Sequence, residues 1–267
     1  MNTYFAIFRI RFINALQYRA AAAAGIATQF AFGFMFILAF AAFYKVGPDA
    51  FPMEFSQTVS YIWMQQAFMA LFFTWFWEND IAASIMEGSI AYEMVRPADL
   101  YSRWFCQAAA NRLARAVLRC SPILVVAFVL PKPYRMSLPP DMPQFALFII
   151  SLALALGVVV AFSMLIVVTA FYTITSLGTR FMMMIIGDFL AGALIPLPFF
   201  PGTIRRIVEL LPFASMSNMP LRIFSGDITG VDATNGIMLQ VFWVFALVIT
   251  GRILMNRALS KVIVQGG

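Results

Sequence analysis

Apolar residues in this chain run together in blocks of about 20, the length at which a helix crosses a hydrocarbon core of roughly 30 Å. Five blocks read directly as spans: residues 20–44, 59–77, 145–171, 181–200 and 236–254. A sixth, 104–130, is continuously apolar only toward its C-terminal end. It must begin near Trp104 and carry Arg112, Arg115 and Arg119 inside it, and their spacing of three and then four places all three on one helix face.

The breaks between blocks are marked by chemistry that helices avoid or that interfaces favour. Lys45, Gly47, Pro48 and Pro52 end the first span, and Trp75, Trp77, Glu78 and Asp80 form an aromatic belt followed by charge at the exit of the second. Pro131, Pro133, Pro139, Pro140 and Pro143 mark a rigid connection into the fourth, where Ala153, Gly157 and Ala161 make a small-residue stripe suited to close packing, as does the run Ala20–Ala24 in the first. A short loop with Thr175, Ser176, Gly178 and Arg180 leads into the fifth span.

That span ends in a proline-broken stretch with Pro196, Pro198, Phe199, Phe200 and Pro201. Over 203–211, Ile204, Ile207, Val208 and Leu211 fall on one side of a short helix and Arg205, Arg206 and Glu209 on the other, with Pro212 as the stop. A second apolar piece, 216–224, follows before Gly226, Asp227 and Asp232. Neither piece is long enough to cross, so 201–235 reads as an external re-entrant segment. The proline break is either a gate over it or plain loop punctuation.

One stretch is polar where its neighbours are apolar. Residues 86–105 hold Glu87, Glu93, Arg96, Asp99 and Arg103 in a chain that is 11% charged. Such a segment cannot lie in hydrocarbon, where each unpaired charge costs about 2.5–3.5 kcal/mol even on a lenient scale. It sits in water or against a soluble partner.

Composition sharpens the class. At 62% hydrophobic and 16% aromatic residues, the chain lies well above the roughly 45–50% apolar content of soluble domains, which identifies an integral membrane protein of all-α class. The formal charge of +6 does not indicate nucleic acid, because the basic residues stand at the edges of apolar runs. With six spans and both ends in the cytoplasm, Arg9, Arg11, Arg19, Arg96, Arg103, Arg112, Arg115, Arg119, Arg180, Arg252, Arg257 and Lys261 fall inside. Lys45, Lys132, Arg135, Arg205, Arg206 and Arg222 fall outside, a bias that supports this orientation. Residues 1–19, basic, aromatic and without an acid, read as an interfacial helix on that side, although they lack a clean apolar face. The long aromatic basic region argues against a cleavable signal peptide.

Much chemistry is excluded. There is no histidine, and Cys106 and Cys120 stand about 20 Å apart along one helix, beyond disulfide reach. None of Lys45, Lys132 and Lys261 follows a glycine, so no phosphate-binding loop of the Gly-Lys-Ser/Thr kind exists. The chain is read as non-catalytic, holding no cofactor or metal. Among the span charges, Arg119 and Asp188 are each about 16–18 Å below the outer surface at 1.5 Å per residue. Either they pair, or Arg119 reaches the inner surface while Asp188 bonds backbone or water. The arginine face of the third span meets either an anionic substrate group or lipid phosphates.

Two motifs carry a family resemblance: Gly88-Ser-Ile-Ala-Tyr-Glu-Met-Val-Arg-Pro97 with Asp99-Leu-Tyr101, and Leu194-Ile-Pro-Leu-Pro-Phe-Phe-Pro201 running on to Glu209-Leu-Leu-Pro-Phe213. Together with the span order they resemble the permease subunits of bacterial ABC exporters of type 2. The resemblance implies a coupling helix over 82–92 within a docking segment 82–99, stopped by Arg96-Pro97. Ile85, Met86, Glu87, Gly88, Tyr92, Glu93 and Arg96 would be its contacts with a separate nucleotide-binding subunit, present in two copies and carrying ATP and magnesium. It also implies a second permease chain, identical or homologous, in the bacterial inner membrane. The competing reading is a membrane scaffold of similar fold that transports nothing.

Overall fold

The computed structural model describes residues 2–47, 51–76, 78–173 and 176–260. Pro48, Trp77, Thr175 and Lys261, which the sequence reading used as markers, lie outside them. Among the described residues the chain is helical with no strands: α1 (Asn2–Ala15), α2 (Arg19–Val46), α3 (Phe55–Ala67), α4 (Met69–Phe72), α5 (Asn79–Met86), α6 (Ile90–Met94), α7 (Leu100–Val129), α8 (Met142–Thr169), α9 (Ser176–Leu190), α10 (Gly202–Leu210), α11 (Asn218–Ser225) and α12 (Gly230–Leu259). Three of these, α2, α8 and α12, are long and apolar enough to cross a membrane. Exposed Phe32, Leu38, Ile149, Ile150, Phe242 and Phe245 cover their outer faces, as expected where the solvent is lipid.

The other expected spans differ in instructive ways. The second is not one helix over 59–77. It is α3, a break at Phe68, the single turn α4, and extended backbone at Phe73. It needs no lipid-facing surface, because Thr58 through Ala67 are all buried. The third begins four residues before Trp104, where the Asp99 side chain accepts the Ser102 N–H at 2.8 Å and caps α7. The fifth ends at Leu190, not Phe200, because Gly192 adopts φ +85 and Pro196 follows.

α8 and α12 form the central pair. Gly157 faces Val244 so closely that an added Cβ would lie 3.2 Å from it. The buried Gln240 donates to the Ser151 carbonyl at 3.2 Å and the Ser215 carbonyl at 3.0 Å, and accepts from the Ser151 hydroxyl at 2.8 Å. In the small-residue stripe, Ala161 is buried but Ala153 is exposed, so only part of it packs.

α11 falls in the segment 201–235 that the sequence reads as re-entrant. Its residues Asn218–Phe224 are buried against α3 and α8, and Gln144 at the start of α8 donates to the Ile223 and Ile228 carbonyls at 2.8 and 2.7 Å. In α10, Ile204, Ile207 and Leu210 are exposed, while Glu209 reaches inward to accept from Arg222 at 2.7 Å, and Arg222 also pairs with Asp227. The apolar side of α10 is therefore split, with Val208 buried against Leu197 and Ala214 and Ile204, Ile207 and Leu210 facing outward.

Candidate functional site

The polar stretch forms a projecting tip at the end of the bundle that also carries α1. Glycine at position 88, with φ +75 and open space around it, divides the expected single coupling helix into α5 and α6. The tip is anchored by Ile81, Ala82 and Ile90, which are buried against Leu100, Tyr101 and Trp104 of α7. Its outer surface presents Met86 (62% exposed), Tyr92 (78%) and Val95 (81%) together with exposed Glu87, Gly88, Met94 and Arg96.

Two expected contact residues face inward. Ile85 packs against the α7 cluster. Glu93 pairs with Arg103, which is 6% exposed, and reaches Arg96 at only 4.0 Å. Glu93 thus fixes the tip to α7. The next two residues, Met94 and Val95, which the sequence did not single out, are exposed.

The base of the tip is tied to both ends of the described chain. The Asp99 N–H donates to the Tyr4 hydroxyl of α1 at 3.1 Å. From α12, Arg252 donates to the Ser102 hydroxyl at 2.6 Å and lies over the Tyr101 ring at 5.7 Å. The start of α7 is thus joined to α6 through Arg103 and Glu93, to α1 through Asp99 and to α12 through Ser102 and Tyr101.

The span charges converge on the break in the second span. Arg112, 1% exposed, donates to the Phe73 carbonyl at 2.6 Å, the Phe76 carbonyl at 3.0 Å and the Ser163 hydroxyl of α8 at 2.9 Å. Asp188 accepts the Thr74 N–H at 3.0 Å and its hydroxyl at 2.9 Å. The pairing of Arg119 with Asp188 is not formed. Asp188 stands two residues from the end of α9, and Arg119 instead lies over the Phe76 ring at 5.3 Å. Arg115 approaches Glu78 at 3.9 Å. Thr74 and Ser163 were not singled out in the sequence, since lone hydroxyls in apolar runs give no periodic signal.

The proline stretch packs rather than hangs free. Phe199 meets Phe40 at 5.0 Å and Phe51 at 5.7 Å, Phe200 meets Phe189 at 5.7 Å, and Pro196 and Pro198 are buried while Pro201 is exposed.

A family model described as ABC-2 family transporter protein matches residues 30–266, which takes in the tip, the break, α10 and α11. The chain belongs to the ABC-2 transporter family. It is a membrane-embedded transport permease, of a family whose members are generally non-catalytic and typically partner with ATPase subunits. A comparison with curated proteins returned no match. In the permease, among the described residues, no cluster of acidic or cysteine side chains could hold a metal ion.

Proposed function

We propose that this permease is the membrane subunit of an ATP-driven exporter. It works as a pair of permease chains, identical or homologous, on two nucleotide-binding subunits that carry ATP and magnesium. The observation that carries the reading is the α5–α6 tip, which exposes the large apolar side chains of Met86, Tyr92, Met94 and Val95 in a charged stretch. A monomeric surface gains nothing from exposing them, whereas a groove in a soluble partner would bury them. Six crossings, with α3–α4, α7 and α9 completing the set begun by α2, α8 and α12, would put the tip and both termini in the bacterial cytoplasm.

Movement of the tip would reach the transport path through α7. An apolar groove of about 380 Å³ lies between α2, the second-span break and α9, with Phe32, Phe36, Phe73 and Phe189 among its walls. It would form one side of the substrate path, the second permease supplying the other. Nucleotide-driven closure of the ATPases then biases which side that path faces.

Affinity purification of the permease from its native membrane tests this. A P-loop ATPase subunit should come down with it, and Tyr92→Ala combined with Glu87→Lys should release that subunit while the permease stays folded. Full retention by the double variant would remove the tip as the docking element.

A further inference from the structure

Between α1, the first turns of α2, the exit of the second span and α7 lies an open cavity of about 470 Å³. Its wall carries the guanidinium groups of Arg11, Arg115 and Arg119 against the carboxylates of Glu78 and Asp80. The opposite charges do not close on one another. Arg11 Nη1 stands 3.8 Å from Asp80 Oδ2 and Arg115 Nη1 stands 3.9 Å from Glu78 Oε1, both beyond hydrogen-bond length.

Two groups are left wanting. Glu78 is 7% exposed; its Oε2 accepts from the Asn111 amide at 2.6 Å, but its Oε1 is buried with no hydrogen-bond donor. Among the described residues, Arg119 meets no carboxylate. It is held against Gly25, where an added Cβ would lie 2.8 Å from its guanidinium carbon, and its Nε is buried without a partner. The wall therefore carries one positive charge more than it balances, next to an acceptor that lacks a donor. Ala21 and Ala22, at the start of the apolar α2, line the cavity.

We propose that this cavity binds the head group of an anionic phospholipid, with the phosphodiester at Arg115 and Arg119 and a head-group hydroxyl donating to Glu78. One phosphodiester supplies the single negative charge the wall lacks, and the hydroxyl supplies the missing donor. The small side chains at Ala21 and Ala22 leave room for the glycerol to turn toward the acyl chains. A choline head group offers no net charge and no donor. This site stands apart from the apolar groove and does not depend on which substrate is carried.

The test uses the full-length permease with any subunits that co-purify, in bilayer discs of mixed phosphatidylglycerol and phosphatidylcholine, followed by mass spectrometry of the lipid retained in detergent. Phosphatidylglycerol should be enriched. Arg119→Gln should lower that enrichment about fivefold, the factor expected for one basic contact at a lipid surface. Ala21→Trp, at an exposed lining position, should fill part of the cavity and lower the enrichment similarly with an unchanged melting temperature. Arg9→Gln, exposed on α1 outside the cavity, should leave it unchanged. Equal retention of both lipids, full enrichment in Ala21→Trp, or a loss in Arg9→Gln equal to that in Arg119→Gln would overturn the proposal. Displacement of the lipid by millimolar inorganic phosphate would assign the site to a free anion instead.

Discussion

Arg112 and Asp188 do not touch, yet they hold the two polar sides of one backbone break. Arg112 donates to the carbonyls of Phe73 and Phe76, and Asp188 accepts the N–H of the intervening Thr74. A helix that unwinds inside an apolar bundle leaves backbone donors and acceptors that cost several kcal/mol each if nothing meets them. Here a cation meets the acceptors and a carboxylate meets the donor. The break gives Asp188 its hydrogen bonds, so it does not need the Arg119 partner that the sequence suggested.

Removing Arg112 should therefore be the most damaging change in this region. Arg112→Ala orphans two carbonyls and one Ser163 contact, at about 1–3 kcal/mol for each group left unsatisfied. Arg112→Lys, which can reach one carbonyl but lacks the fork, should fall between. Asp188→Asn keeps an oxygen for both Thr74 bonds and should cost little, whereas Asp188→Ala should cost as much as losing a buried acceptor. Thermal unfolding of the four variants in detergent checks the order. If Asn were as harmful as Ala, the charge and not the acceptor would be what matters.

At the tip, stability and partner binding should separate by residue. Tyr92→Ala and Val95→Ser alter exposed side chains and should leave the melting temperature within about 0.5 kcal/mol of wild type while weakening ATPase retention. Glu93→Gln should do the reverse in the first instance, because it strips Arg103 of its carboxylate partner and loosens α6 from α7. Co-purification read beside thermal unfolding separates the two classes.

What could be read in advance followed the strength of the local signal. The first, fourth and sixth spans announce themselves through 28 to 30 residue helices of high hydropathy, and the tip through its charges. The second span misled because Met69 to Phe76 is uniformly apolar apart from Thr74, so the pattern shows no break. What unwinds it is tertiary, the bonds offered by Arg112 and Asp188 from helices far along the chain. The end of α9 was misplaced for a related reason: Ala191 to Ile195 is apolar enough to carry a helix up to Pro196, and the backbone of Gly192 turns it earlier. The amphipathic pattern of α10 was legible, but which face met protein depended on Arg222, thirteen residues beyond Glu209.

The contact between α12 and α7 at the base of the tip has no slack. A Cβ on Gly251 would lie 2.7 Å from the Tyr101 hydroxyl and 2.9 Å from its ring, so Gly251→Ala should push the end of α12 from α7 at about 1–3 kcal/mol. Tyr101→Phe removes the nearer atom and should recover part of that loss. A double-mutant cycle by thermal unfolding measures the recovery, and strict additivity would place the strain elsewhere.

Glu78, just past the second span, should give the permease a pH-dependent stability. Burial raises its carboxyl pKa above the ordinary value, and the Arg115 charge and the Asn111 hydrogen bond only partly pull it back. A raised carboxyl pKa means that the folded chain binds the proton more tightly than the unfolded one. The group therefore favours folding most below the usual carboxylate value of about 4.3, and that contribution is lost as pH rises through the raised folded value. Glu78→Gln imitates the protonated form and retains an acceptor for Asn111. Against wild type in detergent free of anionic lipid, the variant should show little difference in acid. It should gain a growing advantage in melting temperature as pH approaches neutrality, and parallel profiles from about pH 4 to 8 would mean that the carboxyl does not titrate differently on folding.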